Sequence, residues 1–265
     1  MNMIAVDIGN TNITIALFIK GKEQFVKPIP GTSKAKLTQI IDSAWQQIPI
    51  AKRSKEKKRD GVIVVSSVNP DWTKLVKKIA REKLDERIYL IPEDIPYPMD
   101  LSVDPAGRIG TDRVVSAAAA YAVTEDALVV ADFGTAVTVD LVDERGIFLG
   151  GVIFPGFEIS AKALKNNTAL LPEVKVKEPK AVYGKTTEDA VNCGLYYSAI
   201  GALREIVEHY AEKIGRWPQT VITGSAAKLI HKDCDFVDSY VPNLVIKGIA
   251  LAYQKYIEKK SDGLL

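Results

Sequence analysis

The chain has 265 residues, enough for one large core or two related halves. Hydrophobic residues make up 47% and charged residues 26%, and the net charge of +2 creates no whole-chain field for nucleic acid. No apolar run approaches the ~18 residues of a membrane span. The short apolar N-terminus, ending at Asp7, does not read as a secretory signal. Cys193 and Cys234, without C-x-x-C spacing, argue against a disulfide framework or a zinc site and fit reduced thiols in a cytoplasmic protein.

In chain order, Met3 to Val6 is a short strand ending at Asp7-Ile8-Gly9-Asn10-Thr11, and the β-branched alternation of Asn12 to Phe18 predicts a second. Gly21-Lys22 is a turn, with Gln24 to Val26 a candidate third strand. Leu37, Ile40, Ile41, Ala44 and Trp45 have helical spacing within 32–47. The basic stretch from Lys52 to Arg59 has no interleaved aromatic and reads as a solvated loop or helix end rather than an anion patch. Val62 to Ser66 is a buried strand, Trp72 to Lys83 a helix and Arg87 to Ile91 a strand. The segment from Pro92 to Pro105 is irregular, and a helix begins near Gly110.

Leu128 to Ala131 is a strand ending at Asp132-Phe133-Gly134-Thr135-Ala136. Val137 to Val142 and Phe148 to Ile153 are strands around the turn Asp143 to Gly146, and Phe154-Pro155-Gly156 opens a helix up to Leu164. A long helix over Thr187 to Ile214 follows, then a strand at Thr220 to Thr223 and a short helix at Ser225 to Ile230. Phe236 to Val237 is a candidate strand, and Leu244 to Tyr256 is the last helix. His209 and His231 sit in helical patterns beside charged residues, without metal-ligand spacing, and are expected to be solvated.

An internal repeat organises these elements. Ile4 to Thr11 is echoed by Val129 to Ala136, and each copy opens an apolar strand, an Asp-x-Gly turn and a β-branched strand. The copies divide the chain into halves at 1–123 and 124–265. An Asp at a strand end sits where open α/β sheets place ligands. The glycine lets successive N–H groups face one anion, and Asn10, Thr11 and Asn12 add short donors. Asp7 would then face a hydrated Mg²⁺, which keeps its waters and takes few carboxylates. The same residues also suit an ordinary hairpin turn; duplication with flanking Thr favours the phosphate reading. P-loop and Rossmann glycine patterns are absent.

Asp7-Ile8-Gly9-Asn10-Thr11-Asn12, Gly110-Thr111-Asp112-Arg113, Asp132-Phe133-Gly134-Thr135-Ala136 and Gly150-Gly151-Val152-Ile153-Phe154-Pro155-Gly156 occur in a diagnostic order. Tyr183 to Ala190 and Thr223-Gly224 fit the same order. This ordered set resembles type III pantothenate kinase over nearly the whole chain. The resemblance implies an α/β fold of the acetate kinase/actin/Hsp70 class: two related ribonuclease H-like halves with mixed sheets, as in actin-like ATPases. It implies a homodimer that uses ATP, Mg²⁺ and a monovalent cation, K⁺ or NH₄⁺, for the first step of coenzyme A synthesis. By position, Asp7, Ile8, Gly9, Asn10, Thr11, Asn12, Ile13 and Thr14 resemble the first ATP-phosphate loop. Gly110, Thr111, Asp112 and Arg113 resemble the pantothenate segment, with Asp112 as proton acceptor. Asp132 resembles the monovalent-cation ligand, Thr135 an ATP contact, and Thr187 a pantothenate contact on the partner side of the dimer.

The implied chemistry is sound: a primary hydroxyl needs its proton accepted as it attacks phosphorus, and the Arg113 fork suits a substrate carboxylate. Three departures from the family pattern stand out. The segment Leu101 to Pro105 lacks the usual Tyr, one extra residue separates Pro105 from Gly110, and Ser225 replaces a second glycine. Another small-molecule kinase or phosphatase on this fold, or a non-catalytic homologue, are the alternatives. Neither nucleic acid nor membrane is an expected partner.

Overall fold

The computed structural model describes residues 1–30, 33–51, 58–103 and 109–263. The chain divides into two compact units. The first holds the described residues of Met1–Met99, Ala106–Ala119 and Val245–Leu265; the second holds those of Asp100–Pro105 and Ala120–Leu244.

In the first unit, β1 (Met3–Ile8), β2 (Asn12–Ile19) and β3 (Lys22–Pro30) form an antiparallel meander. β4 (Val62–Ser67) pairs with β1 in parallel, and β5 (Ile88–Ile91) extends the sheet beyond it. The order is β3-β2-β1-β4-β5. Parallel neighbours need crossovers, and α1 (Lys34–Gln47) and α2 (Pro70–Leu84) supply them. Asn69 starts α2 by accepting the Trp72 N–H at 3.3 Å, with Pro70 in the first turn where its missing N–H costs nothing.

β1, β2 and β4 read as near-continuous apolar runs because both faces are covered. Ile4, Val6, Ile63 and Val65 pack with Ile41, Trp45 and Val76 on one face. Met3, Ala5, Val64 and Ile91 face the other way and pack with Val115, Ile246, Ile249 and Ala252. Val115 lies on α3 (Thr111–Thr124) and the last three on α7 (Leu244–Ser261).

The second unit repeats the plan. β6 (Leu128–Phe133), β7 (Ala136–Val142) and β8 (Phe148–Pro155) form the meander. β9 (Gln219–Thr223) pairs with β6 in parallel and β10 (Ser239–Tyr240) with β9, giving the order β10-β9-β6-β7-β8. α4 (Phe157–Asn166), α5 (Thr187–Ile214) and α6 (Ala227–Ile230) complete it. α5 starts at a Thr186 side chain that accepts the Asp189 N–H, and ends at Gly215 in the left-handed region.

Three sequence expectations change here. The last strand lies at Ser239–Tyr240, not Phe236–Val237, because the Val237 N–H closes a turn onto the Cys234 carbonyl while both side chains pack on the core. The last helix runs on to Ser261. From Val245 it belongs with the first unit rather than with a 124–265 half, because its apolar residues fill the Met3–Ala5–Val64 face. Cys193 and Cys234 are free and buried, and burial pushes the Cys234 thiol up to about 11. His209 is exposed, between Glu205 at 3.2 Å and Glu212 at 3.5 Å. Most of the basic stretch, 52–57, lies outside the described residues, and Arg59 donates to the Ile48 carbonyl at 2.6 Å.

The docking of α7 is testable. Ile249→Ala removes a fully buried side chain and is expected to cost about 2–5 kcal/mol in urea unfolding. Val123→Ala, at a position 84% exposed, should stay within about 0.5 kcal/mol of the parent. Equal effects from the two changes would contradict this packing.

Candidate active site

In the first unit the β1–β2 turn is closed by the Gly9 N–H on the Asn12 carbonyl at 3.0 Å, and the Val68 N–H caps the Ile8 carbonyl at 3.0 Å. Ile8 and Ile13 are buried in the core, so that only their backbones can meet a ligand. Asn10, Thr11 and Asn12 are exposed on the turn. Asp7 pairs with Thr14 across the antiparallel ladder and with Ser66 across the parallel one; Ser66 in turn pairs with Ile91. Side chains in register on neighbouring strands share a face. Thr14, Asp7, Ser66 and Ile91 therefore form one row, on the face covered by α3 and α7.

The start of α3 is tied to that row by the Thr111 hydroxyl, which donates to the Ile91 carbonyl at 3.4 Å. Asp112 follows in the first turn, its carboxylate accepting the Arg113 N–H at 2.9 Å. A Cβ at Gly110 would lie 2.5 Å from the Asp112 carboxylate oxygen, which is why a glycine precedes this turn. Burial raises the Asp112 pKa above the usual carboxylate value; the Arg113 N–H, the Arg113 charge and its own N–H pull against that rise without cancelling it.

Tyr97, half-buried, hydrogen-bonds Thr111 and lies within electrostatic reach of Asp112; burial raises its pKa first of all. Sequence reasoning passed over Tyr97 because it sits in the irregular segment after Pro92. Its spacing from Thr111 follows no helical or strand period. The altered residues 104–108, including Pro105, lie outside the described residues.

In the second unit the equivalent turn is one residue shorter, closed by the Gly134 N–H on the Ala136 carbonyl at 3.2 Å. Asp132 pairs with Thr138 and with Thr223, so Thr138, Asp132 and Thr223 form a second hydroxyl–carboxylate–hydroxyl row. Around it, the Gly156 N–H bonds the Thr135 carbonyl at 3.1 Å and the Ala226 N–H bonds the Phe133 carbonyl at 3.0 Å. The structure thus brings the Gly134 and Gly224 segments to the Asp132 carboxylate, with Gly156 bonded to the Gly134–Thr135 turn. Gly224 has φ +97, and a Cβ there would lie 2.4 Å from the Asp132 carboxylate oxygen and 2.6 Å from the Phe133 backbone. Thr135 is exposed at the tip of the turn, as is Ser225 beside Gly224. Thr187 is exposed in the first turn of α5.

Among the described residues, no group of three or more His, Cys, Asp or Glu side chains forms a metal cage. Asp7 alone among hydroxyls suits Mg²⁺ that arrives hydrated and nucleotide-bound. Asp132, Thr138 and Thr223 present only oxygen donors along their row. No helix among the described residues is long and apolar enough to cross a membrane.

Two duplicated meanders with an Asp near the end of each central strand define a member of the actin-like ATPase fold. Solved structures agree on the fold. A putative Baf family transcriptional activator from Campylobacter jejuni covers 98% of this chain and 99% of its own, with TM-score 0.58 and 18% identity. MreB5 of Spiroplasma citri bound to ADP covers 98% of each chain, with TM-score 0.51 and 11% identity. The profile of the type III pantothenate kinase family matches residues 3–209. The type III pantothenate kinase of Agathobacter rectalis is 33% identical over 264 residues, 97% of this chain and 98% of that one. The chain belongs to the type III pantothenate kinase family.

Gly224→Ala would place a methyl group against the Asp132 carboxylate in a backbone conformation that L side chains avoid. It is expected to lower stability by at least about 1 kcal/mol in denaturant unfolding. It should also shift the backbone NMR resonances of Asp132 and Phe133. An unshifted pair would show that the close approach is not maintained in solution.

Proposed function

We infer that the protein transfers the γ-phosphate of ATP to the primary hydroxyl of pantothenate, the first step of coenzyme A synthesis. The observation that carries this is the partly buried Asp112 in the first turn of α3, behind Gly110, in a chain of this family. Asp112 accepts the hydroxyl proton as the oxygen attacks phosphorus. A base whose pKa is raised toward the working pH is better matched to that task than an ordinary carboxylate. Arg113 holds the pantothenate carboxylate through its planar fork. Gly110 and Thr111 line the acceptor, and Tyr97, joined to Thr111, stands beside it.

The Asp7–Thr14 turn cradles the ATP phosphates through its N–H groups and the Asn10, Thr11 and Asn12 side chains, and Thr135 adds a contact from its own turn. Mg²⁺ bound with ATP would neutralise phosphate charge, and Asp7 would hold it through water. Asp132, with Thr138 and Thr223, would hold K⁺ or NH₄⁺.

The protein works as a homodimer in the cytoplasm, with Thr187 serving the partner's acceptor site. Support for assembly comes from large apolar side chains left exposed on the second unit: Ile153, Leu170, Val182 and Tyr183 are 60%, 90%, 75% and 65% exposed. A contact between copies that covered such side chains would remove their apolar surface from water. A single mass near twice 29.0 kDa in light scattering is expected; a fully active monomer would refute the dimer.

The deciding assay incubates purified protein with ATP, Mg²⁺, K⁺ and pantothenate and detects phosphopantothenate by mass spectrometry, with Na⁺ replacing K⁺ in a parallel arm. Phosphopantothenate is expected, and activity should fall in the Na⁺ arm. No product at millimolar pantothenate, with another hydroxyl metabolite phosphorylated instead, would reassign the acceptor.

Asp112→Asn should lower kcat by about two or more decades while nucleotide binding persists. In the parent, activity should climb with pH through the raised Asp112 pKa. The stability contribution of this group runs the other way. The folded state keeps the proton to higher pH than the unfolded chain, so its contribution is complete below the ordinary carboxylate value. It is lost as pH rises through the raised folded value. Asp112→Asn should abolish both dependences, and near-normal turnover in that variant would remove Asp112 from the mechanism.

A further inference from the structure

Ser66 takes no part in the phosphoryl transfer proposed above. It lies fully buried on β4, and its hydroxyl has no hydrogen-bond partner among the described residues. A buried hydroxyl without a partner costs free energy, and such groups in folded proteins call for an explanation. Packing does not explain it. Val64, two residues earlier on the same face of the same strand, is a fully buried valine.

Register supplies an explanation. Ser66 is the cross-strand partner of Asp7, on the same face of the sheet. The internal repeat supplies an independent second observation. In the other unit, the strand equivalent to β4 places Thr223 opposite Asp132, and Thr223 is likewise buried. In each unit, the parallel neighbour of the strand-end aspartate carries a hydroxyl, although the two sequences differ there.

We propose that Ser66 is a positioning residue for the nucleotide-borne Mg²⁺: its O–H donates to the Asp7 carboxylate and aims the remaining carboxylate lone pairs at the waters of the metal. The bond forms as Mg²⁺ and nucleotide load. This inference rests on the nucleotide-binding half of the proposed function and is independent of the identity of the acceptor. Carboxylates that hold a metal, directly or through water, are commonly fixed by such an outer hydrogen bond.

The hydroxyl is a liability before loading and an asset after it, so stability and metal binding should move in opposite directions when it is removed. A purely structural serine would not produce that split. The test uses the full chain and the variants Ser66→Ala and Ser66→Cys; cysteine keeps nearly the same volume but is a weak donor. Ser116→Ala, which removes the other buried hydroxyl without a partner among the described residues, calibrates the stability gain. Melting temperature is measured without nucleotide. Mg²⁺ is then titrated against a non-hydrolysable ATP analogue by thermal shift, and separately in turnover.

Ser66→Ala is expected to raise Tm by about 2–4 °C. It should also raise the half-saturating Mg²⁺ concentration about 10-fold in both titrations, leaving the pantothenate KM unchanged. Ser66→Cys should share the Mg²⁺ defect. A lowered Tm in Ser66→Ala, an unmoved Mg²⁺ half-saturation, or a Cys variant that matches the parent would each overturn the proposal. If the parent makes no phosphopantothenate yet shows the Ser66-dependent Mg²⁺ shift, the acceptor assignment fails and this inference stands.

Discussion

Register aims both strand-end aspartates. In a sheet, a slip of one residue turns every side chain to the opposite face. The pairing of Asp7 with Thr14 and Ser66, and of Asp132 with Thr138 and Thr223, sets which way each carboxylate points. The apolar residues hold that register in place. Met3 and Ala5 share a face with Asp7 and are buried under α3 and α7, while Ile4, Val6 and Ile8 are buried on the opposite face. A one-residue slip would drive Asp7 into a hydrocarbon layer, at a cost of several kcal/mol for an ionised group. The core and the site are therefore specified by the same pairing. The duplication then yields two carboxylates in similar hydroxyl rows, with turns of unequal length.

Much of this was legible in the sequence, for identifiable reasons. Strands β1, β2, β6 and β7 announce themselves because β-branched residues alternate up to a glycine-containing turn. The long helix α5 is bounded by a Thr186 cap and by Gly215, both local signals. The repeat was visible as matched Asp-x-Gly turns, and the two sheets share its strand order. What stayed hidden depends on long-range packing. The apolar spacing along α7 marks it as amphipathic but does not say which sheet it covers. Only the Met3–Ala5–Val64 face identifies its partner. β10 is a two-residue strand, below the length at which periodicity carries information. Tyr97 and Ser66 were illegible for a related reason. Their neighbours, Thr111 and Asp7, are brought to them by a sheet edge and a parallel ladder, with no fixed offset in sequence.

Asp112 brings opposing forces to one side chain. Its place in the first turn of α3, with two backbone N–H groups and the Arg113 charge nearby, favours the carboxylate. Burial between the sheet edge and the helix disfavours it, and burial wins. The two influences differ in what they do for chemistry. The N–H groups fix where the carboxylate points, while desolvation leaves it more basic than its counterparts on the surface. A carboxylate fixed by hydrogen bonds alone would be well aimed but too weakly basic to accept a proton near neutral pH. One that is buried without them would be basic but free to turn away. A Cβ at Gly110 would lie 2.5 Å from the Asp112 carboxylate oxygen, so the missing side chain leaves the carboxylate room to accept the Arg113 N–H in this orientation.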